Sequence, residues 1–176
     1  MRRTVLTAIG QDRPGLVEQV SAFVLERGGS IEESRMANLL GRFAIAMLVT
    51  GDDAAVERIT ADVGDLMQRT GVDARFTGVD HSGDAEPKQT YRFAAEALDQ
   101  PGLVHEVADV FARHGVNIET LDTTLVSAPE TAAPLFAMNG VVAVPDDAVY
   151  ADLQQELGRA CDAMNISWTL TNEERR

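Results

Sequence analysis

The chain has 176 residues, of which 45% are hydrophobic and 24% are charged, a balance typical of a folded globular protein. Its net charge of −13, without a basic patch, argues against direct binding to nucleic acid. A single cysteine excludes a disulfide within the chain, and no apolar run approaches the roughly 20 residues that a membrane helix needs. We therefore expect a soluble, cytoplasmic protein that has no contact with membranes.

One short segment occurs twice at a constant spacing. Asp12–Val17 (DRPGLV) returns 87 positions later as Asp99–Val104 (DQPGLV). Across residues 12–32, nine of 21 positions are identical to those of residues 99–119 without a gap. This repeat predicts two copies of one small domain, each of which opens with a Pro-Gly turn that leads into a helix.

The first copy shows the element order β-α-β-β-α-β. Short runs of β-branched and apolar residues predict the strands, and apolar residues spaced by three and four predict the helices. Gly41 suits a tight hairpin between the middle strands. The predicted elements are a strand at Thr4–Ile9, a helix from Pro14 to Gly28, strands at Ile31–Asn38 and Phe43–Thr50, a helix from Asp52 to Arg69, and a strand at Asp73–Val79.

The second copy repeats this order, with a longer loop at 128–134 between its middle strands. Its predicted elements are a strand at Thr90–Leu98, a helix at Pro101–His114, strands at Asn117–Ser127 and Leu135–Val144, a helix at Asp146–Met164, and a strand at Ile166–Thr171. The predicted domain organisation is a first domain at 1–80, a polar linker at 81–89, a second domain at 90–172 and a polar tail at 173–176.

Two β-α-β-β-α-β units predict an α+β protein with two ferredoxin-like domains in tandem. Each domain would have an antiparallel four-stranded sheet with two helices on one face. The other face of each sheet must then be covered, and the apolar alternation along the strands argues for packing between the two copies or between chains. We expect a homodimer on the same grounds.

The two Pro-Gly turns, with the Gly-x-x-Ile-Glu element that follows each helix, resemble those of ACT domains, which are small regulatory modules that sense amino acids. The resemblance covers nearly the whole chain apart from the linker. In the first copy the run Ile31–Met36 (IEESRM) follows Gly28-Gly29-Ser30 and is similar to the glycine cleavage system transcriptional repressor family. That resemblance implies an amino acid as ligand, with glycine as the family's choice.

The chemistry of the turns points to a ligand site. Gly15 and Gly102 allow another molecule to approach the backbone closely, and the N–H groups at each helix start have no helical partner and suit a carboxylate. An aspartate in each turn could hold an ammonium group. The candidate residues of the turns are Asp12, Pro14, Gly15 and Leu16 in the first copy and Asp99, Pro101, Gly102 and Leu103 in the second.

The first residue of the next strand is a further candidate. Asn117 offers both a donor and an acceptor, and the resemblance implies that ACT domains which bind amino acids use this position together with the turn. Because the first copy has the shorter Ser30 there, the resemblance favours the second copy. An alternative stays open, in which Asp12 and Asp99 only cap their own turns and the glycines serve geometry alone.

Other reactive side chains form no recognisable site. His81, His105 and His114 lack the spacing of metal ligands, and Cys161 lies on the apolar face of a predicted helix, where a core residue is expected. No nucleophile with its base, phosphate loop or pair of catalytic carboxylates can be assembled. We therefore expect neither an enzyme nor a protein that holds a metal or a cofactor.

These patterns predict a non-enzymatic regulatory protein that binds a small amino acid and changes its contact with a partner protein. The family resemblance implies that this partner is a DNA-binding transcription regulator. Two alternatives stay open. One is a regulatory subunit of an enzyme of amino-acid metabolism, and the other is a protein-interaction module that binds no ligand.

Overall fold

The computed structural model describes residues 1–79, 89–127, 133–145 and 147–172. The chain divides into two compact units, Met1–Ser82 and Gly83–Arg176, and each unit is described by itself. The predicted linker lies outside the described residues except for Gln89, which begins a strand. The predicted tail at 173–176 and residues 128–132 of the predicted loop also lie outside them.

The first unit has the predicted order of strands and helices, with one helix divided in two. Its elements are β1 at Arg2–Gln11, α1 at Leu16–Glu26, β2 at Ser30–Leu39, β3 at Arg42–Gly51, α2 at Asp53–Ala61, α3 at Val63–Thr70 and β4 at Asp73–Gly78. The four strands form one antiparallel sheet in the order β2-β3-β1-β4. This topology confirms the ferredoxin-like α+β fold.

The ends of these elements follow the local signals in the sequence. Asp52 caps α2, since its carboxylate accepts a hydrogen bond from the Ala55 N–H at 2.6 Å. Gly71 ends α3 with φ at 73°, a left-handed conformation that favours glycine. The hairpin between β2 and β3 turns on Leu40 and Gly41, whose φ values are 52° and 80°. Two positive φ values in a two-residue hairpin are typical of a type I′ turn.

The helix predicted to run without a break to Arg69 is interrupted at Asp62. The backbone of Asp62 (φ −91°, ψ 12°) departs from the α-helix, and its carbonyl accepts the Asp65 N–H at 2.9 Å, as at a new helix start. Gly64, a poor helix former, follows, and the guanidinium of Arg27 contacts both aspartates. The prediction of a single helix is therefore wrong here, and α2 and α3 take its place.

The core of the first unit lies between the helices and one face of the sheet. Alternate residues of the strands point to the helices, and the predicted apolar face of α1 points back to the sheet. The buried side chains include Leu6 and Ala8 from β1, Leu16, Val20, Phe23 and Val24 from α1, Phe43 and Val49 from β3, and Ile59 and Leu66 from α2 and α3. Among the described residues of this unit, no helix packs on the opposite face of the sheet, where most strand residues are exposed.

The second unit repeats the fold with an unbroken second helix. Its elements are β5 at Gln89–Leu98, α4 at Leu103–Arg113, β6 at Asn117–Ser127, β7 at Pro134–Val144, α5 at Asp147–Ala163 and β8 at Ser167–Asn172. The sheet order is β6-β7-β5-β8, again antiparallel throughout. The long helix α5 begins at Asp147, one residue after the predicted start at Asp146, which lies outside the described residues.

Aromatic side chains are concentrated in the second unit. Tyr91 stacks on Tyr150 with ring centroids 4.4 Å apart, and Phe93 meets Phe111 edge-on at 5.2 Å. The chain's one tryptophan, Trp168, packs partly buried against the same core. Both tyrosines and the tryptophan of the whole sequence therefore belong to this unit, so intrinsic fluorescence reports on it alone.

Candidate functional site

Each Pro-Gly turn places its glycine in the left-handed region directly before a helix. Gly15 has φ at 88° before α1, and Gly102 has φ at 97° before α4. A Cβ added at Gly15 would meet nothing closer than Gln19 Nε2 at 3.5 Å, which is an ordinary contact. The backbone conformation, and not a lack of space, is therefore what calls for glycine.

The backbone N–H groups at the helix starts differ between the copies. No side chain of the described residues caps either α1 or α4. In the first copy, however, the Leu16 N–H donates to the Arg13 carbonyl at 3.4 Å, whereas no equivalent bond is seen for Leu103 among the described residues. The first turn thus already uses one of the donors that the sequence assigned to a ligand carboxylate.

The residue between the aspartate and the proline ties each turn to the end of the second helix. Arg13 donates to the Thr70 carbonyl at 3.2 Å and to the Gln19 side chain at 2.8 Å. Gln100, at the matching position, donates to the Met164 carbonyl at 2.9 Å. Sequence reasoning missed this anchor. The only available signal was that both copies have a long side chain with N–H donors at this position.

The two turn aspartates have different surroundings. The carboxylate of Asp12 accepts a hydrogen bond from Asn38 Nδ2, while Asn38 Oδ1 accepts the Gly41 N–H at 3.1 Å. The Asp12 N–H in turn donates to the Gly41 carbonyl at 2.9 Å. Asp12 is therefore part of a network that holds the β2–β3 hairpin, which is a structural role but a different one from the cap of its own turn that the alternative supposed. The carboxylate of Asp99 accepts no hydrogen bond from the residues that the structure describes.

The first turn borders an open concave surface of about 450 Å³. Its lining includes Asp12, Arg13, Gly15, Met36 and Phe43. Of these, Phe43 is buried, whereas Met36 is half exposed. This surface is large enough for an amino acid but is open to solvent over much of its extent.

The candidates at the strand starts lie beside a β-bulge that both copies share. The register shifts between Ile31 and Glu33 in β2 and between Ile118 and Thr120 in β6. The extra residue is therefore a glutamate in both copies, at positions 32 and 119.

The bulged glutamates have different partners. Glu32 accepts two hydrogen bonds from the guanidinium of Arg3, at 2.9 and 3.3 Å. Glu119 instead accepts one from Asn117 Nδ2 at 2.7 Å, and Thr90 stands at the position that matches Arg3. The carboxylate in the first copy is thus paired with a cation, whereas in the described part of the chain the one in the second copy contacts a neutral amide and no cation.

A single copy does not bring the turn and the strand start together. Ser30 and Arg3 both lie opposite Thr50, whereas the turn follows Gln11 at the far end of β1. Eight residues of extended strand separate these two ends, which corresponds to roughly 27 Å. Asn117 has the same relation to the second turn, since it lies opposite Ala143 at the start of β5.

The remaining reactive residues lie away from these places. Cys161 is buried in the core, and its burial raises the pKa of the thiol to about 11. His114 Nε2 lies 2.7 Å from Glu156 Oε2 between α4 and α5, and His105 is exposed on α4. His81 lies outside the described residues.

The described part of the chain shows neither a metal centre nor a membrane span. Within it, no three His, Cys, Asp or Glu side chains are grouped closely enough to hold a metal ion. Every helix in the same residues is too short or too polar to cross a bilayer.

Two ferredoxin-like units, each opening with a Pro-Gly turn and carrying a bulged β-strand after the first helix, define a tandem protein of the ACT type. Residues 2–77 match the sequence model of the ACT domain. The chain belongs to the ACT domain family, and the resemblance carried by the two turns is confirmed.

Known proteins resemble the whole chain or one part of it. It is 26% identical over 170 residues to the glycine cleavage system transcriptional repressor of Escherichia coli. The aligned segment covers 94% of this chain and 87% of that protein. It is 35% identical over 75 residues to UPF0237 protein MK1213 of Methanopyrus kandleri. This alignment covers 42% of the present chain and 83% of that protein. A crystal structure of an unknown protein from Galdieria sulphuraria superimposes with a TM-score of 0.80 at 26% identity, with 98% of each chain covered.

Proposed function

We propose that this protein is a non-enzymatic regulator that binds a small amino acid and thereby changes its contact with a partner protein. The observation that carries this proposal is the similarity to the E. coli repressor along 94% of the chain. Both copies keep the turn of the ACT fold with its left-handed glycine. A regulator needs no catalytic group, and its output is a change in binding.

The output that we propose is control of transcription of the glycine cleavage genes through a DNA-binding partner in the cytoplasm. The net charge of −13 supports this indirect route, because an acidic protein is repelled by phosphate. A homodimer is the form in which the protein would act, since within the described residues each sheet has two edge strands without a further partner strand.

The ligand site that we propose lies in the second copy. Asn117 can present an amide carbonyl, and the neighbouring Glu119 carboxylate has no cation beside it among the described residues, so the pair suits an ammonium group. In the first copy Ser30 is shorter, and Arg3 already neutralises Glu32. The turn around Gly102 provides free backbone N–H groups for a carboxylate. Because this turn lies roughly 27 Å from Asn117 within one copy, we propose that the turn which binds the carboxylate end of the same ligand comes from a second chain.

The coupling between ligand and partner is a shift between two populations. A ligand changes the partner contact only by its difference in affinity for the two forms of the protein. A small amino acid such as glycine has few atoms, so its effect must come from its two charged ends. This places the ammonium-binding and carboxylate-binding groups at the centre of the mechanism.

A thermal-shift screen against the twenty amino acids tests the proposal, with Trp168 fluorescence as the signal for the second copy. A ligand at 100 times its Kd adds about 2.7 kcal/mol of stability. We expect a selective rise in Tm with glycine or serine that Asn117→Ala abolishes. The matched variant Ser30→Ala should keep it. A screen in which no amino acid raises the Tm would contradict ligand binding. Equal Tm shifts in Asn117→Ala and Ser30→Ala would contradict the location of the site in the second copy.

A further inference from the structure

An ion pair in the first unit crosses one strand of the sheet. Arg3 belongs to β1 and Glu32 to β2, and β3 lies between these two strands. The guanidinium reaches the carboxylate through Nε at 2.9 Å and through Nη2 at 3.3 Å. Because Arg3 and Ser30 both lie opposite Thr50 of β3, the pair passes over Thr50. It forms a bridge on the sheet face that no described helix of this unit covers.

The side chain beneath this bridge is a polar group without a partner. Thr50 is only 5% exposed, and its hydroxyl makes no hydrogen bond with any residue that the structure describes. Buried hydroxyls of this kind are rare in folded proteins, because burial removes their bonds to water. The bridge adds little stability, since its side chains are 48% and 33% exposed. An arrangement that costs stability in this way is expected at a functional position.

The second copy keeps the carboxylate of this arrangement and lacks both the cation and the buried hydroxyl. Strand pairing and the shared bulge define the matching positions, which are Glu32 and Glu119, Arg3 and Thr90, and Thr50 and Ala143. Glu119 accepts a hydrogen bond from Asn117 Nδ2 at 2.7 Å, and none of the described cations pairs with it. The two carboxylates therefore lie at the same place in the fold, and only the first is closed by a cation.

We propose that the first copy has a second site for the ammonium group of an amino acid, and that the guanidinium of Arg3 keeps this site closed. This inference rests on the proposed function, in which Asn117 and Glu119 of the second copy receive the ammonium group of the ligand. In the first copy, Glu32 is the matching carboxylate, and the guanidinium occupies the place of the ammonium group. Arg3 is thereby the residue that confines the ligand to the second copy.

The closed site has the acceptors that an ammonium group needs. Glu32 provides two carboxylate oxygens, and both accept hydrogen bonds from Arg3. The Thr50 hydroxyl under the bridge can accept a further N–H when the guanidinium is removed. A neutral oxygen beside a carboxylate is the same combination of acceptors that Asn117 and Glu119 offer in the second copy.

A free amino acid competes poorly with Arg3 because the guanidinium is part of the chain. A tethered group acts at an effective concentration on the order of millimolar or more. A guanidinium also binds a carboxylate through two parallel N–H groups, which an ammonium group does not. Removal of Arg3 eliminates both advantages, and the sheet around it should change little because the ion pair is partly exposed.

A titration with glycine, followed by the backbone amide signals in NMR spectra, observes the two copies separately. The amides of Ser30 and Thr50 report on the first copy, and those of Asn117 and Ala143 report on the second. In the wild type, glycine should shift the signals of the second copy and leave those of the first unchanged.

Exchange of the two matching residues tests the inference. In Arg3→Thr, glycine should also shift the signals of the first copy, so that two molecules bind per chain. In Thr90→Arg, the new guanidinium should pair with Glu119 and weaken glycine binding in the second copy by about tenfold or more.

Matched controls use the preceding residue of each strand, which is Arg2 in the first copy and Gln89 in the second. Their side chains point to the other face of the sheet, because residues alternate along a strand. Arg2→Gln and Gln89→Arg change the charge as the two test variants do, and both should respond to glycine like the wild type.

The hydroxyl of Thr50 has a test of its own. Thr50→Val keeps the shape of the side chain and should raise the Tm of the ligand-free protein, because it removes a buried polar group without a partner. Combined with Arg3→Thr, it should weaken glycine binding in the first copy. A lower Tm in Thr50→Val would contradict this part of the site.

The titration distinguishes failure of this inference from failure of the proposed function. A wild type that responds in the second copy, with an Arg3→Thr variant whose first copy stays unchanged, would support the sensor and overturn the closed site. A wild type that also responds in the first copy, or a Thr90→Arg variant with full affinity, would overturn it as well. A wild type without any response, beside an Arg3→Thr variant that binds glycine, would contradict the sensor and support the closed site. If neither protein responds, both proposals are wrong.

Discussion

In both units a polar residue at the end of the first helix links that helix to the one packed beside it, but the two units use different residues. In the first unit, Arg27 has a side chain only 11% exposed and reaches Asp62 at 2.9 Å and Asp65 at 2.8 Å. Its guanidinium also lies 3.8 Å from the centre of the Phe23 ring. One cation thus holds the ends of two short helices against α1.

The second unit has His114 at the matching position. Its ring meets Glu156 of α5 at 2.7 Å, and the adjacent Arg113 pairs with the same carboxylate. Because α5 is continuous, one carboxylate is sufficient. Both units therefore have a polar link between the helices at this place, and the link contacts two carboxylates where two helix ends meet and one carboxylate where the helix is continuous.

Removing this link should separate the two units most clearly. Arg27→Ala leaves two carboxylates near a hydrophobic ring and should cost about 2–3 kcal/mol in the first unit. His114→Ala should cost about 1 kcal/mol in the second. Urea unfolding followed by far-UV circular dichroism reports both units, and Trp168 fluorescence reports the second alone.

Arg159→Ala, on an exposed face of α5, is the control and should change the free energy of unfolding by less than about 0.5 kcal/mol. If Arg27→Ala moved the fluorescence transition as far as the circular dichroism transition, the idea of independent links in the two units would be wrong.

Alanine at the turn glycines tests whether both turns serve geometry in the same way. Gly15→Ala and Gly102→Ala each force a Cβ into the left-handed region and should destabilise their own unit by about 1–2 kcal/mol. Equal costs with unchanged ligand response would favour the purely structural alternative. A loss of ligand response in Gly102→Ala alone would sharpen the contrast between the copies.

Alkaline pH should act on the second unit only. The pKa of Cys161 is about 11 when folded and near 9.0 when exposed. Because the pKa of this thiol is higher in the folded state, its burial contributes no destabilisation below pH 9. The free energy of unfolding then falls as the pH rises from 9 towards 11. At pH 10 the loss should be about 1 kcal/mol by fluorescence. In Cys161→Ala, the free energy of unfolding of the second unit should no longer differ between pH 8 and pH 10. If the difference persists, ionisation of the Cys161 thiol is not its cause.

The bulged glutamates should have the smallest effect on stability. Arg3→Ala breaks an ion pair whose side chains are 48% and 33% exposed, so the cost should be about 0.5 kcal/mol or less. Asn117→Ala should cost as little. Chemical denaturation checks both, and a large loss in either would show that the bulge itself depends on the partner of the glutamate.

Local sequence signals were sufficient for most of the fold. The repeat and the apolar periodicity predicted every strand, and the buried face of α1 agrees from Leu16 to Val24 because burial alone determines that spacing. The break at Asp62 was not predictable in this way. Gly64 weakens the helix locally, but the guanidinium that binds Asp62 lies 35 residues earlier in the chain, and no local pattern contains that contact.

The candidate site shows the same limit. The turns and their glycines follow from short motifs, but Asn38, which binds Asp12, and the carbonyl of Thr70, which binds Arg13, come from distant segments. The separation of the turn from Ser30 follows only from the register of β1, β2 and β3. Sequence reasoning named candidate groups, and only the topology gives the distance between them.

The hairpin tip of the first unit has a residue that does not suit its conformation, so a substitution there could raise the free energy of unfolding. Leu40 is fully exposed and has φ at 52°, so this side chain gains no burial and stands in a conformation that favours asparagine or glycine. Natural sequences are retained when they exceed a threshold of stability, and positions such as this one are not optimised further. An engineer who wants a more robust version of this protein has a starting point at the tip of one turn, far from the core.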